Sequence, residues 1–214
     1  MNYSHSRISC FENCKLAYKF RYIDRVKVDI PTTIECFMGS QVHDALEKLY
    51  KDKMHGKDLT KKQVLDYYEK EWKKNYKDTI KITKKEYTAN NYKKQGKTYI
   101  EEYYDSYHPF NQLKILGLET SNFLKLGSNT YSVRIDKLAH KDDTYYICDY
   151  KTNSAMLEQD KADKDRQLAM YCLWVKQKYP DAKKIVLLWH MLKFGKEVTS
   201  TRTNEELKAL RKET

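Results

Sequence analysis

Apolar positions recur every three or four residues in the first half of this chain, and in the second half they alternate. Ile8, Phe11, Leu16, Phe20 and Ile23 make a loose helical pattern over 6–22 that opens after Ser4 or Ser6. Pro31-Thr32-Thr33 interrupts it. From Glu35 to about Lys53, the residues Val42, Ala45, Leu46 and Leu49 fall at i, i+3, i+4 and i+7, the stripe of a helix packed on one side. Gly56-Lys57-Asp58 is a turn signal. Thr60 caps a helix running to about Tyr76, and Thr88 caps another through Tyr92, Tyr99, Ile100 and Tyr103 that stops before Pro109.

The period then becomes two. Leu116, Leu118, Thr120 and Asn122 alternate with their neighbours, and Gly127-Ser128-Asn129 marks a turn. Tyr131–His140 and Thr144–Thr152 are β-branched or aromatic runs separated by Lys141-Asp142-Asp143. Asp160 or Asp163 starts a helix through Leu168, Tyr171, Cys172 and Val175, which ends before Pro180. Lys184–Phe194 is an apolar run of the kind buried at the centre of a sheet. Gly195 turns the chain into a short strand, Glu197–Thr201, and Thr203-Asn204-Glu205-Glu206 is a capping box for a last helix.

Helices followed by strand, hairpin, helix and strand predict an α/β fold. Residues 1–110 are expected to be mostly helical and 111–214 to form the α/β core. No Gly/Ser-rich linker or repeat separates two halves, so 1–214 is expected to be one domain. A mean hydropathy of −0.88 and 33% charged residues exclude an integral membrane protein. The start of the chain lacks the apolar stretch of a secretory leader, which predicts a cytoplasmic protein. The five cysteines, spread without a CxxC, imply neither a disulfide framework nor a zinc site.

Charge changes the picture moderately. A net charge of +11 suits a polyanionic partner, since Lys and Arg displace counterions from phosphates. A lysine-rich solubilising surface explains the same number. The 19 tyrosines fit base stacking or ordinary packing equally.

The chemistry concentrates in the Tyr131–Thr152 hairpin. If Asp142-Asp143 form a two-residue turn, Lys141 pairs with Thr144, Leu138 faces Ile147, Asp136 faces Asp149 and Arg134 faces Lys151. Alternation then gathers Arg134, Asp136, Asp149 and Lys151 on one face; a three-residue loop would shift this register. Two carboxylates facing each other on a sheet are destabilising without a counter-charge. A divalent cation supplies that charge and suits phosphodiester hydrolysis, with Lys151 orienting water or stabilising charge on the phosphate. The alternative is a solvated strand face with no such role.

At this hairpin the sequence resembles the RecB-like branch of the PD-(D/E)xK nucleases. The resemblance is carried by Val133-Arg134-Ile135-Asp136-Lys137, Asp149-Tyr150-Lys151-Thr152 and Gln167-x-x-x-Tyr171. Ser4-x-Ser6-Arg7-Ile8 through Phe20-Arg21-Tyr22, and Gly39-x-x-x-His43, extend it to the N-terminal part. It implies a restriction-endonuclease-like core, a central mixed sheet flanked by helices, with a helical N-terminal half. It also implies an exonuclease-like DNA nuclease of repair or recombination, dependent on Mg²⁺ or Mn²⁺. Carried over by position, His43, Asp136, Asp149 and the backbone carbonyl of Tyr150 would hold the metal, and Lys151 would be catalytic with Asp136 and Asp149. Gln167 and Tyr171 would flank the site and the DNA. Glu119 would be an additional acidic member, and Arg7 would touch phosphate.

The chain departs from the family where Val133 replaces a frequent glycine and Lys137 a frequent arginine. Many relatives hold a [4Fe-4S] cluster with a C-terminal cysteine group joined to a cysteine that matches Cys14. This chain ends at Arg211-Lys212-Glu213-Thr214 without that group, so no iron–sulfur cluster is expected. The competing readings are a catalytically silent nucleic-acid-binding module, including a subunit of a helicase–nuclease complex, and a protein-binding scaffold using the tyrosine-rich helices.

Overall fold

The computed structural model describes residues 2–27 and 31–213. Met1, the first residue of the segment expected to carry no secretory leader, and Thr214, the end of the last helical pattern, lie outside the described residues. The chain opens with a strand the pattern did not predict, β1 (Asn2–Ser4), too short to show alternation. Helix α1 (His5–Asn13) follows, its first orphan donors met where the Ser4 side chain accepts from the Arg7 amide. The single helical pattern over 6–22 is broken at Cys14, whose backbone is extended (φ −158°, ψ 105°). Its Sγ accepts from the Ala17 amide and so caps a second short helix, α2 (Lys15–Tyr18). A π-helical turn, Lys19–Ile23, continues it.

Three long helices form a layer. Helix α3 (Ile34–Met54) is capped by Thr33 and buries Val42, Ala45, Leu46 and Leu49, the expected stripe. Complete burial of an aliphatic side chain contributes roughly 1.5–3 kcal/mol, so this stripe holds α3 in place more firmly than its caps do. Helices α4 (Lys61–Asn75) and α5 (Ala89–Tyr107) both open with capping boxes, Thr60 with Gln63 and Thr88 with Asn91. The close approach of α5 needs Gly96, because a Cβ there would lie 2.2 Å from the buried Tyr68 hydroxyl. Among the described residues, no helix is long and apolar enough to cross a membrane.

The remainder is a mixed sheet with helices on its other face. Strands β2 (Lys114–Leu126), β3 (Asn129–Lys141) and β4 (Thr144–Lys151) run antiparallel in turn. Lys141 pairs with Thr144 and Leu138 with Ile147, the two-residue-turn register expected from the sequence. Strand β5 (Lys184–Met191) lies parallel to β4, and β6 (Lys196–Ser200) antiparallel to β5. The order is β1-β3-β4-β5-β6, with β2 on the other edge of β3.

Two boundaries differ from expectation. The helix expected from Asp160 or Asp163 is two, α6 (Gln159–Asp163) and α7 (Arg166–Lys178). They are separated because Asp165 takes extended backbone and caps α7 through the Leu168 amide. The strand expected over 184–194 ends at Met191, where a 3-10 turn, Leu192–Phe194, leads to Gly195. Gly195 has φ +56°, a conformation that favours glycine. Helix α8 (Asn204–Glu213) closes the described chain behind the expected Thr203/Glu206 box.

Two cores sandwich the sheet. One joins β2–β5 to α7 and α8; the other joins α3, α4 and α5 to Tyr150 and Leu192. Strict alternation would put Ile135 and Leu138 on opposite faces, yet both sit in the α7 core. The slip falls at Asp136. On β2, between the Leu118–Lys137 and Thr120–Ile135 pairs, Glu119 takes φ +44°. A non-glycine residue there costs on the order of 1 kcal/mol, and such strain tends to collect at functional sites.

Candidate active site and metal centre

His43 reaches the strands because α3 lies close to the chain leaving β4. One turn earlier, a Cβ on Gly39 would come within 3.0 Å of Thr152 Oγ1, so only glycine fits this approach without displacement. The imidazole then meets three groups. Its Nε2 is 2.9 Å from the backbone oxygen of Tyr150, and its Nδ1 lies 3.4 Å from Asp136 Oδ2 and 3.8 Å from Glu119 Oε1. The ladder of β3 and β4 ends at the Lys137–Cys148 pair. One step beyond, the Tyr150 amide donates to Asp136 Oδ2 at 2.9 Å instead of to a backbone carbonyl. The strands part at this point, and the side chain of Asp136 bridges them.

The parting corrects two sequence expectations. Asp136 and Asp149 lie one step past the last β3–β4 pair and are not paired with each other, while Asp149 stays paired to Trp189 of β5. Arg134 does not face Lys151; it pairs with Glu119 Oε2 at 2.8 Å on the exposed rim, because β2 presents Glu119 at the kink. Lys151 instead holds Asp149, Nζ to Oδ2 at 2.7 Å.

Electrostatics follow from this crowding. Burial pushes the Asp136 carboxyl up to about 6; His43 pulls it down, and Asp149 pushes it up further. Burial also raises Asp149, against the opposing pull of Lys151. Burial opposes the charge on His43, but Glu119, Asp136 and Asp149 outweigh it and hold its pKa above the ordinary value. Burial opposes the charge on Lys151 as well, and Asp149 beside it keeps the ammonium protonated. Glu119 is buried enough to disfavour its charge, yet His43 and Arg134 hold it below the usual carboxylate range.

His43, Glu119 and Asp136 are the residues whose ligand atoms converge, all within 4.8 Å of one another. One imidazole and two hard carboxylate oxygens suit a divalent cation such as Mg²⁺ or Mn²⁺. Two carboxylates crowded on one imidazole, one of them with a raised pKa, are the arrangement such a charge relieves. Glu119, read as an accessory member, therefore stands inside this group. Asp149 stands beside it, turned to Lys151, with its charge acting on both His43 and Asp136.

The other expected residues lie on two sides. On α7, Gln167 Nε2 donates to the Tyr171 hydroxyl at 2.9 Å, and the buried Tyr171 senses the charges of Asp149 and Asp136. Arg7 sits in the N-terminal segment, its Nε donating to the Tyr18 hydroxyl at 3.1 Å and its guanidinium among the rings of Tyr3, Tyr18 and Tyr22. A cleft of about 860 Å³ opens between the α3/α5 layer and the kinked strands, within the range of ligand-holding clefts, roughly 300–1,000 Å³. Its walls add Lys84, Tyr87, Gln95, Asn153 and Lys193, none of which the sequence singled out. Asn153 directly follows the Lys151-Thr152 motif, the one local signal that marks it. The others come from the α4–α5 connection (Lys84 and Tyr87), from α5 (Gln95) and from the turn after β5 (Lys193), too far apart in the chain to share a motif.

The comparisons agree with this architecture. A family model, PD-(D/E)XK nuclease superfamily, matches residues 2–214. The crystal structure of a candidate exonuclease from Eubacterium rectale is similar with a TM-score of 0.52 and 13% identity, covering 97% of this chain and 74% of that one. At that identity the likeness is one of fold. No curated protein sequence matches the chain significantly. The family match spans α3 with His43, the hairpin with Asp136, Asp149 and Lys151, and α7 with Gln167, and on its extent the chain belongs to the PD-(D/E)XK nuclease superfamily.

Proposed function

We propose that this chain is a RecB-like, divalent-metal-dependent deoxyribonuclease. It works as a single domain in the cytoplasm, with exonuclease-like hydrolysis of phosphodiester bonds in DNA repair or recombination. The observation that carries the reading is the convergence of His43, Glu119 and Asp136 beside the Asp149–Lys151 pair. His43, Asp136, Glu119 and the Tyr150 carbonyl would hold Mg²⁺ or Mn²⁺, with Asp149 completing the site. The cation, when bound, supplies Lewis acidity toward the scissile phosphate and acidifies nearby water. Lys151, kept protonated by Asp149, donates to charge developing on the phosphate. Arg134 and Lys193 give the cleft wall positive charge toward a nucleic-acid backbone. Gln167 and Tyr171 support the α7 side, and Arg7 offers a phosphate contact from the N-terminal segment.

The test is cleavage of end-labelled single- and double-stranded DNA with Mg²⁺, Mn²⁺ or EDTA, comparing wild type with Lys151→Ala. Metal-dependent cleavage should fall by about 100-fold or more in the variant. The product ladder separates exonucleolytic from internal attack. Wild-type protein that cleaves neither substrate with either metal overturns the activity. Unchanged cleavage by Lys151→Ala removes the assigned site.

A further inference from the structure

Beside the metal-binding residues, on the side of β3 that packs against α3 and α5, lies a buried cation that the proposed chemistry does not use. Lys137, next in sequence to Asp136, is only 3% exposed. Its Nζ donates to the Tyr103 hydroxyl at 2.9 Å and to the Tyr50 hydroxyl at 3.2 Å. It also lies over the rings of Tyr50, Tyr150 and Tyr103, at 4.3, 5.5 and 5.7 Å from their centroids. Burial works against its charge, and the surrounding tyrosines outweigh that cost. The hydroxyls are themselves joined, Tyr50 to Tyr103 at 2.7 Å and Tyr103 to Tyr150 at 3.3 Å.

The elements meeting at this cation are the ones that carry the candidate site. Tyr50 is on α3, two turns after His43. Lys137 adjoins Asp136 on β3, and Tyr150 separates Asp149 from Lys151 on β4. Tyr103 is on α5, which lines the cleft. Tyr150 touches both groups. Its hydroxyl and ring join the cluster, while its amide donates to Asp136, its carbonyl accepts from His43 and its ring edge meets the imidazole at 5.7 Å. A displacement of Tyr150 thus moves the partners of Asp136 and His43 together.

We propose that Lys137 is a positioning residue, whose ammonium clamps Tyr50, Tyr103 and Tyr150 and thereby fixes the spacing of His43, Asp136 and Asp149. The reading of the metal site above is its foundation, and it adds a residue that touches neither substrate nor metal. Neutralising the clamp leaves the three hydroxyls held only by one another, without the ammonium that ties them to β3, and β4 then loses its fixed height against Asp136. A buried charge replaced by a well-packed apolar side chain is often tolerated in stability. The loss should therefore appear in site geometry rather than in folding.

The experiment compares wild type, Lys137→Met and Lys137→Arg by residue-resolved amide exchange in EDTA, Mn²⁺ titration calorimetry and steady-state cleavage. In Lys137→Met, exchange of the Tyr150 amide should speed up by about tenfold or more, while the Leu138 and Ile147 amides keep wild-type protection. Mn²⁺ affinity and kcat should fall by about 10- to 100-fold, with KM for DNA within about twofold, the pattern of a lost supporting shell. Lys137→Arg, which keeps the charge and the donors, should recover most of all three. Unchanged Tyr150 exchange in Lys137→Met overturns the clamp, whatever the activity. Loss of protection spread evenly over β3 and β4 overturns it too, because the role is then general stability. A wild type that neither binds Mn²⁺ nor cleaves DNA contradicts the proposed function, and the exchange comparison still decides the clamp.

Discussion

Asp136→Asn should stabilise the metal-free protein while abolishing its use of metal. The wild-type carboxylate is held in a crowded site, with its pKa pushed up to about 6 from an ordinary 3.8. A folded pKa above the unfolded value means the folded state binds the proton more tightly. Stability from this group is therefore full below pH 3.8 and is lost as pH rises to 6. The displacement of about 2 units corresponds to a ceiling of about 3 kcal/mol above pH 6, about half of which applies at pH 5. Asparagine removes the charge yet can still accept from the Tyr150 amide. In a chain of this length, 1 kcal/mol moves Tm by roughly 2–4 °C. The variant should thus melt above wild type in EDTA at pH 8 by up to about 6–12 °C, with about half that gain at pH 5. Mn²⁺ should raise the wild-type Tm and leave the variant nearly unmoved. Thermal unfolding followed by circular dichroism at both pH values makes the measurement. A variant less stable than wild type at pH 8 refutes the reasoning, because it would mean that His43 and the Tyr150 amide already compensate the charge in full.

Two further outcomes test the fold. Gly96→Ala places a methyl 2.2 Å from the Tyr68 hydroxyl and should cost about 1–3 kcal/mol in urea unfolding, and a cost under about 0.5 kcal/mol would show that Tyr68 moves aside freely. Iodoacetamide at pH 8 should modify the exposed Cys14 and Cys36 and spare Cys148 and Cys172, whose thiols burial pushes up to about 11. Mass spectrometry of the alkylated protein reads this out, and early labelling of Cys148 would contradict the buried β4.

Much of this protein follows from local physics that a sequence carries. The α3 stripe, the capping boxes at Thr60 and Thr88 and the two-residue turn at Asp142-Asp143 each depend on residues within a few positions of one another. So does the pairing of Leu138 with Ile147, since one turn and a period of two fix every later pair. The break at Cys14 and the division of α6 from α7 do not show in the pattern because a single capping side chain decides each, inside an otherwise continuous periodicity.

What the tertiary structure decided is the geometry of the site. Sequence alternation placed Arg134, Asp136, Asp149 and Lys151 on one face and set the two aspartates against each other. The packed molecule instead kinks β2 and β3 at Glu119 and Asp136, ends the ladder at Lys137 and Cys148, and sends Arg134 to Glu119. Alternation assumes a regular pleat, and a pleat persists only while both neighbouring strands continue it. Here α3, brought close by Gly39, inserts His43 against Tyr150 and Asp136, and Tyr50 of the same helix with Tyr103 of α5 holds Lys137 next to them. The candidate ligands were legible as residue types in order along the chain. Their convergence depends on contacts more than a hundred residues apart, such as His43 with Tyr150, and no local period encodes those.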